Sequence, residues 1–286
     1  MKISVVAPFY NEEGSVKELY ERLLAALKKL GDSHEIIFID DGSADATFEE
    51  MKKLAPLTAI RLRKNYGQTA ALAAGIDAAS GEIIVAIDGD LENQPEDMPR
   101  LLEKMKEGFD VVSGWRQDRW KGQGLRRRPL SKIANWLISF VTKTNLHDHG
   151  CTLKVYKADV LKQLNLYGDM HRMIAAYAVL NGAKVAEIPV KHVPRKYGKS
   201  KYGVTRTFRV LLDLIVVKFF AKYSNRPMHF FGGAGFWSFF LGFLTFLLMI
   251  YFKYFGGKTF IQTPLPIVTG LVKIAHCLSC PNFFIS

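Results

Sequence analysis

Five carboxylates fall within residues 88–97: Asp88, Asp90, Glu92, Glu96 and Asp97. They follow the apolar run "EIIVAI", which reads as a buried strand. Negative charge gathered at the end of such a strand needs positive charge beside it, either from water around an acidic turn or from a cation. Asp88-Gly89-Asp90 sets two carboxylates one residue apart. Alternate residues of an extended segment share a face, and the glycine gives the turn freedom to aim both at one ion. Hard divalent cations take such oxygen ligands and keep room for substrate phosphates.

Other strand ends carry polar groups too. "EIIFIDDG" ends in Asp40 and Asp41. One carboxylate here suits a base or ribose hydroxyl, and Ser43 or Asp45 is expected to cap the next helix. The first apolar run ends "APFYNEEGSV", where a proline, an aromatic ring and acidic groups suit a nucleotide base without a glycine-rich turn. No Gly-x-Gly-x-x-Gly follows that run and no Walker loop occurs, which disfavours a dinucleotide-binding dehydrogenase or a P-loop NTPase. Three other signals carry less. "HDHGC" (residues 147–151) offers poor tetrahedral geometry for zinc, though Asp148 suits a polar role. "CLSC" (277–280) lacks a second ligand pair. "QDRW" (117–120) is one residue short of the Q-x-x-R-W of processive polysaccharide synthases and lies too early.

The elements that position these residues follow from periodicity. Strands are expected at "ISVVAPFY", "EIIFIDDG", "TAIRLRKN", "EIIVAIDGD" and "DVVSGWR", with helices over 16–30, "GQTAALAAGIDAAS" and 95–106 between them. Arg126 to Thr144 reads as helical; "GCTLKVYK" and "KVAEIPVKHVPR" read as further strands around a helix at 170–180. Alternation of this kind predicts an α/β fold, a doubly wound, mostly parallel sheet with ligands at the carboxyl ends of its strands. Tyr10, Asp40, Asp41, Asp88, Asp90 and Arg116 all fall at such ends.

The chain has 286 residues and a net charge of +12. Residues 116–132 carry seven Lys/Arg against one Asp, and residues 184–222 carry ten against one Glu and one Asp. Basic charge localised this way suits an anionic partner. Nucleic acid is disfavoured, because the basic stretches adjoin an apolar segment and lack interleaved stacking aromatics. Three cysteines give no disulfide framework, and the first ten residues read as a strand rather than a signal peptide. After Gly203 the character changes. Residues 205–223 read as a helix lying in a membrane interface, with Arg206, Arg209, Lys218 and Lys222 near its ends. Residues 230–252 hold 23 residues without a charge, roughly 35 Å as a helix, enough to span a bilayer core. Residues 263–286, interrupted by prolines, Lys273 and His276, read as an incomplete second span. The expected organisation is a catalytic domain over 1–202, juxtamembrane helices over 203–228 and a membrane region over 229–286, single-pass or multi-pass. The positive-inside rule places the basic domain in the cytoplasm.

In order along the chain, "VAPFYNEEGSV", "IIFIDDGSADAT", "NYGQTAALAAG", "IVAIDGDLENQPED", "GCTLKVY" and "PRKYGKSKYG" resemble glycosyltransferase family 2, and within it the polyprenyl-phosphate glycosyltransferases. The resemblance covers about residues 3–252. It implies a GT-A fold, Mg2+ or Mn2+, a nucleotide-sugar donor (UDP- or GDP-linked), a polyprenyl phosphate acceptor and inversion at the anomeric carbon. Carried over by motif, Pro8, Tyr10, Glu12, Asp40 and Asp88 match the nucleotide-sugar pocket. Asp88 and Asp90 match the metal site, joined by Glu92 where the family often has Gln. Arg116, Arg127, Ser131, Arg195 and Lys201 match the acceptor-phosphate site, and Asp90, Arg116 and Arg127 are the expected catalytic groups.

A lipid monophosphate is largely dianionic near neutral pH. It is already a nucleophile and needs cations to place it more than a base to activate it. Arginine forks and lysine charges in "GLRRRPLSK" and "PRKYGKSKYG" meet that need, while the charges at 206–222 suit anionic headgroups. Two alternatives remain at this stage. One is transfer to a sugar hydroxyl or glycolipid, which needs a catalytic base. The other is a membrane-anchored nucleotide-sugar binder without activity. A homo-oligomer is compatible with either.

Overall fold

The computed structural model describes residues 2–117, 146–164, 170–194 and 227–255, with positions 138, 139, 144, 166, 168 and 270 besides. Arg127, Ser131, Arg195, Lys201, the interfacial helix at 205–223 and nearly all of 263–286 lie outside the described residues. The chain divides into two compact units, Met1–Lys218 and Phe219–Ser286.

The first unit runs β1 (Ile3–Phe9), α1 (Glu13–Leu30), β2 (His34–Asp40), α2 (Thr47–Lys52), β3 (Thr58–Arg61), α3 (Gln68–Ala78) and β4 (Ile83–Ala86). A 3-10 turn (Pro95–Asp97), α4 (Met98–Lys106), β5 (Val111–Trp115), β6 (Lys154–Lys157) and α5 (Ala158–Lys162) follow, then a second 3-10 turn (Met170–Arg172), α6 (Ile174–Leu180) and β7 (Val185–Pro189). The strands form one seven-stranded sheet in the order β3-β2-β1-β4-β6-β5-β7.

β1 and β4 are apolar on successive residues because both faces of the sheet are covered. On one face α1 packs Leu19, Leu23 and Leu27 near Phe38. On the other, α3 packs Ala71, Leu72 and Ile76 against Val6, Ile37 and Ile39. Gly75 of α3 faces Val6 and Ile39 so closely that a Cβ would strike both side chains. The Ala- and Gly-rich composition of that helix is therefore a packing requirement.

The parallel reading holds for every strand but β6, which inserts antiparallel between β4 and β5. A strand of four residues, Lys-Val-Tyr-Lys, carries no mark of its direction in its sequence. Two elements were also less regular than periodicity suggested: the expected helices at 95–106 and 170–180 each begin with a 3-10 turn.

In the second unit α7 (Pro227–Tyr254) is a single 28-residue helix. Its segment Phe231–Tyr254 has mean hydropathy 1.9 and is long and apolar enough to cross a membrane, by length and composition. It is the one such helix among the described residues and contains nearly all of the expected span. Large apolar side chains, Phe236, Trp237 and Phe239 among them, are exposed along it.

Candidate active site

β2, β1 and β4 lie side by side and parallel, so their carboxyl ends open on one edge of the sheet. Pro8 near the end of β1, Tyr10 and Glu12 after it, Asp41 after β2, and Asp88 and Asp90 after β4 line one cleft of about 200 Å3. The loops leaving β1 and β2 are stitched together. Asn11, at φ 53°, donates its N–H to Ser43 Oγ (2.9 Å) and accepts from Ala44 N–H at Oδ1 (2.8 Å). Glu12 N–H donates to Thr47 Oγ1 at 3.0 Å. Neither Ser43 nor Asp45 takes the expected cap position of α2: Ala46 stands there, without a side-chain cap. Asp45 instead accepts from Thr47 N–H (3.0 Å) and Glu13 N–H (3.3 Å), tying the two loops rather than starting the helix.

Asp40 and Asp41 divide their work in a way the sequence did not show. Asp40 is fully buried; its Oδ1 accepts from Ser43 N–H at 2.8 Å and its Oδ2 lies 3.2 Å from Arg61 Nε. It does not line the cleft described above, whereas Asp41 does. Asp41 accepts from Tyr66 N–H (2.8 Å) and Gly67 N–H (2.9 Å) and so fixes the turn entering α3. Burial pushes its pKa up, against those two hydrogen bonds. The next residue, Gln68, then donates its side-chain amide to Asp88 Oδ1 at 2.5 Å. Gln68 was legible only as the start of an Ala-rich helix.

The glycine of Asp88-Gly89-Asp90 serves space rather than torsional freedom. It is not among the positive-φ glycines, but a Cβ there would strike the Phe9 ring. Leu91 takes the left-handed conformation instead, at φ 61°. The backbone N–H of Glu92 donates to Asp90 Oδ1 at 3.1 Å, which closes the turn.

Burial first, and the Asp90 carboxylate second, push the Asp88 pKa well above the usual carboxylate range. Two carboxylates in such a place are both ionised only when further positive charge arrives. That is the behaviour of a cation site, and its donors are hard oxygens. No group of three or more His, Cys, Asp or Glu is arranged as a metal cluster among the described residues. Glu92 lines an adjoining cavity with Asp88 and Asp90 without completing a protein triad. The residues present therefore fit a divalent cation held by two carboxylates, with its remaining positions left to water and phosphate oxygens.

Arg116 leaves the end of β5 and is 7% exposed. It forks onto Asp148, with Nε 2.7 Å from Oδ2 and Nη2 3.1 Å from Oδ1. Burial alone would lower its pKa, but the Asp148 charge and neighbouring groups outweigh that and raise it. Asp148 is itself positioned from β7. Glu187 accepts from the N–H groups of His147 and Asp148, each at 2.9 Å, and from His147 Nδ1 at 2.8 Å. The His147 ring stacks on Trp115, with centroids 4.3 Å apart. The "HDHGC" segment is thus a brace for Arg116: its side chains take separate partners. Its Cys151 thiol is pushed up to about 11 by burial and is unreactive as a nucleophile. Sequence reasoning missed Glu187, and also Lys154, which is fully buried, donates to the His149 carbonyl at 3.1 Å and has its pKa drawn down to about 8 by burial.

The glycosyl transferase family 2 model matches residues 4–164. The fold and this match define a glycosyltransferase domain, and the chain belongs to glycosyl transferase family 2. Dodecaprenyl-phosphate galacturonate synthase of Rhizobium johnstonii is 44% identical over 88% of this chain and 75% of its own length. Undecaprenyl-phosphate 4-deoxy-4-formamido-L-arabinose transferase of Edwardsiella ictaluri is 38% identical over 74% of this chain, which spans 66% of that relative's length. In fold, the chain is similar to glucosyl-3-phosphoglycerate synthase of Mycobacterium tuberculosis, solved with Mn2+, UDP and phosphoglyceric acid. That similarity has a TM-score of 0.61 at 17% identity, over 76% of this chain and 78% of that one.

Proposed function

We propose that this chain transfers a sugar from a nucleotide-sugar to a polyprenyl phosphate at the cytoplasmic face of a membrane, with inversion at the anomeric carbon. The observation that carries this reading is the pairing of opposites across one sheet edge: a buried carboxylate pair after β4 and a buried, pre-aimed guanidinium after β5. The names of the two relatives, both polyprenyl-phosphate sugar transferases, point the same way.

Asp88 and Asp90 would hold Mg2+ or Mn2+, which supplies positive charge to the diphosphate as it departs. Pro8, Tyr10, Glu12 and Asp41 hold the nucleotide in the cleft, and Asp40 stiffens its floor. Arg116, kept straight by Asp148, meets the acceptor phosphate. Arg127, Ser131, Arg195 and Lys201 extend the same anion site. A dianionic phosphate attacks without help from a protein base, so the protein contributes position and charge. The apolar helix α7 anchors the chain beside its lipid substrate.

The test is a panel of radiolabelled nucleotide-sugars offered to the purified full chain with undecaprenyl phosphate. Label is expected in the organic phase, lost with EDTA and restored by Mn2+. Label that stays in water with every donor overturns the reading.

A further inference from the structure

We infer that Thr152, aimed by Asn93, is a positioning residue for the cation site: its hydroxyl holds the Asp88 carboxylate in one orientation before an ion arrives. The inference rests on the reading of Asp88 and Asp90 as the ligands of the cation and names what prepares one of them.

The antiparallel direction of β6 brings Thr152 to the site. β6 pairs with β4 so that Ala86 stands opposite Lys154. Carried past the end of β4, the same register sets Asp88 opposite Thr152. Directly opposed residues of an antiparallel pair stand close enough for their side chains to interact. The Thr152 hydroxyl bonds the Asp88 carboxylate, and both residues line the cavity they share with Asp90, Glu92 and Arg116. A parallel β6 would present its other end to this edge of the sheet.

The donor roles along the relay are fixed by chemistry. Asn93 Nδ2 donates to Thr152 Oγ1 at 2.7 Å. A hydroxyl that accepts in this way keeps its single proton for the carboxylate, which accepts only when ionised. Asn93 is fixed in turn. It is buried, and its backbone forms an antiparallel bridge with His192. Its Oδ1 faces the Cys151 thiol at 3.6 Å, and the Leu153 carbonyl lies 3.8 Å from the same sulfur. The thiol is a weak donor and has no acceptor's claim on the amide nitrogen, so the amide points its oxygen to Cys151 and its nitrogen to Thr152. Asp88 and Asn93 stand at the two ends of one acidic turn. Thr152 staples those ends together.

Asp88 thus receives donors from two separate elements. Gln68, at the start of α3, bonds Oδ1 at 2.5 Å, and Thr152 comes from the approach to β6. Two donors fix the plane of the carboxylate and leave lone pairs for an ion. A ligand set in place beforehand loses little rotamer freedom when the ion binds. Partners that orient a metal ligand in this way typically govern affinity by about 10–100-fold.

The test measures Mn2+ bound by the purified full chain in equilibrium dialysis with UDP present, beside thermal melts with and without Mn2+. Thr152→Val keeps the shape of the side chain and removes its hydroxyl. It should weaken Mn2+ binding by about 10–100-fold and abolish most of the rise in melting temperature that Mn2+ gives the wild type. Transferase turnover should fall further at limiting than at saturating Mn2+. Thr152→Ser keeps the hydroxyl and should retain most of the affinity. Asn93→Ala leaves Thr152 in place and should weaken binding in the same direction; added to Thr152→Val, it should weaken binding little further, because both act through one hydroxyl. The melts without Mn2+ show that each variant is folded. Mn2+ bound by Thr152→Val at wild-type strength would overturn the inference. Equal weakening in Thr152→Val and Thr152→Ser would assign Thr152 to packing and overturn it too. No Mn2+ bound by the wild type would take down the cation-site reading itself.

Discussion

On the wall that follows β4, Asp88 and Asp90 crowd together, and Asp88 has its pKa pushed up by burial and by its neighbour. On the facing wall, Arg116 is as deeply buried, yet Asp148 already neutralises it through two hydrogen bonds. Both walls keep charge out of water, which is costly unless a counter-charge is present. They differ in where that counter-charge comes from. The arginine's is built into the chain, so the guanidinium is aimed before any ligand arrives. The carboxylates' must come from outside, so the protein without a cation is strained by self-repulsion and relieved by binding. A site of this kind is rigid on its cationic side and ligand-dependent on its acidic side.

The largest effect should come from removing the ligand-dependent charge. Asp90→Asn is expected to cut turnover by about 10²–10³-fold while leaving the thermal midpoint without cation unchanged or higher. A fall in stability comparable to the fall in activity would mean that the acidic wall, too, is satisfied internally.

The opposite balance is expected for Asp148→Ala. It strands Arg116 as a buried, uncompensated cation and should cost about 3–5 kcal/mol of stability, read by denaturant titration. A cost below about 1 kcal/mol would show that water reaches that pair and that the two walls do not differ.

A third prediction concerns pH. His149 and His171 are held neutral by burial, with pKa values drawn down to about 4 and about 3. The unfolded chain takes up protons at these positions below about pH 6.5, and the folded chain does not. Stability should therefore be full above pH 6.5 and decline as pH falls toward 4, by about 1.4 kcal/mol per pH unit for each histidine. Glu35, whose pKa is lowered to about 2 by hydrogen bonds that outweigh its burial, adds a separate loss below about pH 4.5. Melts at stepped pH check this, and replacing both histidines by asparagine should flatten the upper window only. The smallest effect is expected away from both walls. The exposed pair Lys53–Glu50, at 2.5 Å, should change stability by less than about 0.5 kcal/mol when Lys53 is made alanine.

The same contrast separates what was legible in the sequence from what was not. Strands, helices and strand-end carboxylates are local patterns, so Tyr10, Asp88 and Asp90 could be read together from their places at strand ends, and Pro8 and Glu12 joined them through the family resemblance. The supporting residues could not. Gln68 looks like the first turn of a packing helix, Glu187 like the outward residue of a strand, and Lys154 like a solvated lysine beside a valine. Each gains its role from a partner far away in sequence: Asp88, Asp148 and the His149 carbonyl. Direction was equally hidden in β6, and the role of Gly89 depends on the ring of Phe9 across the sheet. Asp40 and Asp41, adjacent and chemically identical, could be told apart only by which one faces the cleft.

The most direct test is Mn2+ binding by the purified full chain with UDP present, followed by the electron paramagnetic resonance signal of free Mn2+. One tightly bound ion per chain is predicted for the wild type, binding more strongly as pH rises and Asp88 ionises, and lost in Asp88→Asn and Asp90→Asn. Binding that persists at wild-type strength in both variants would contradict the account.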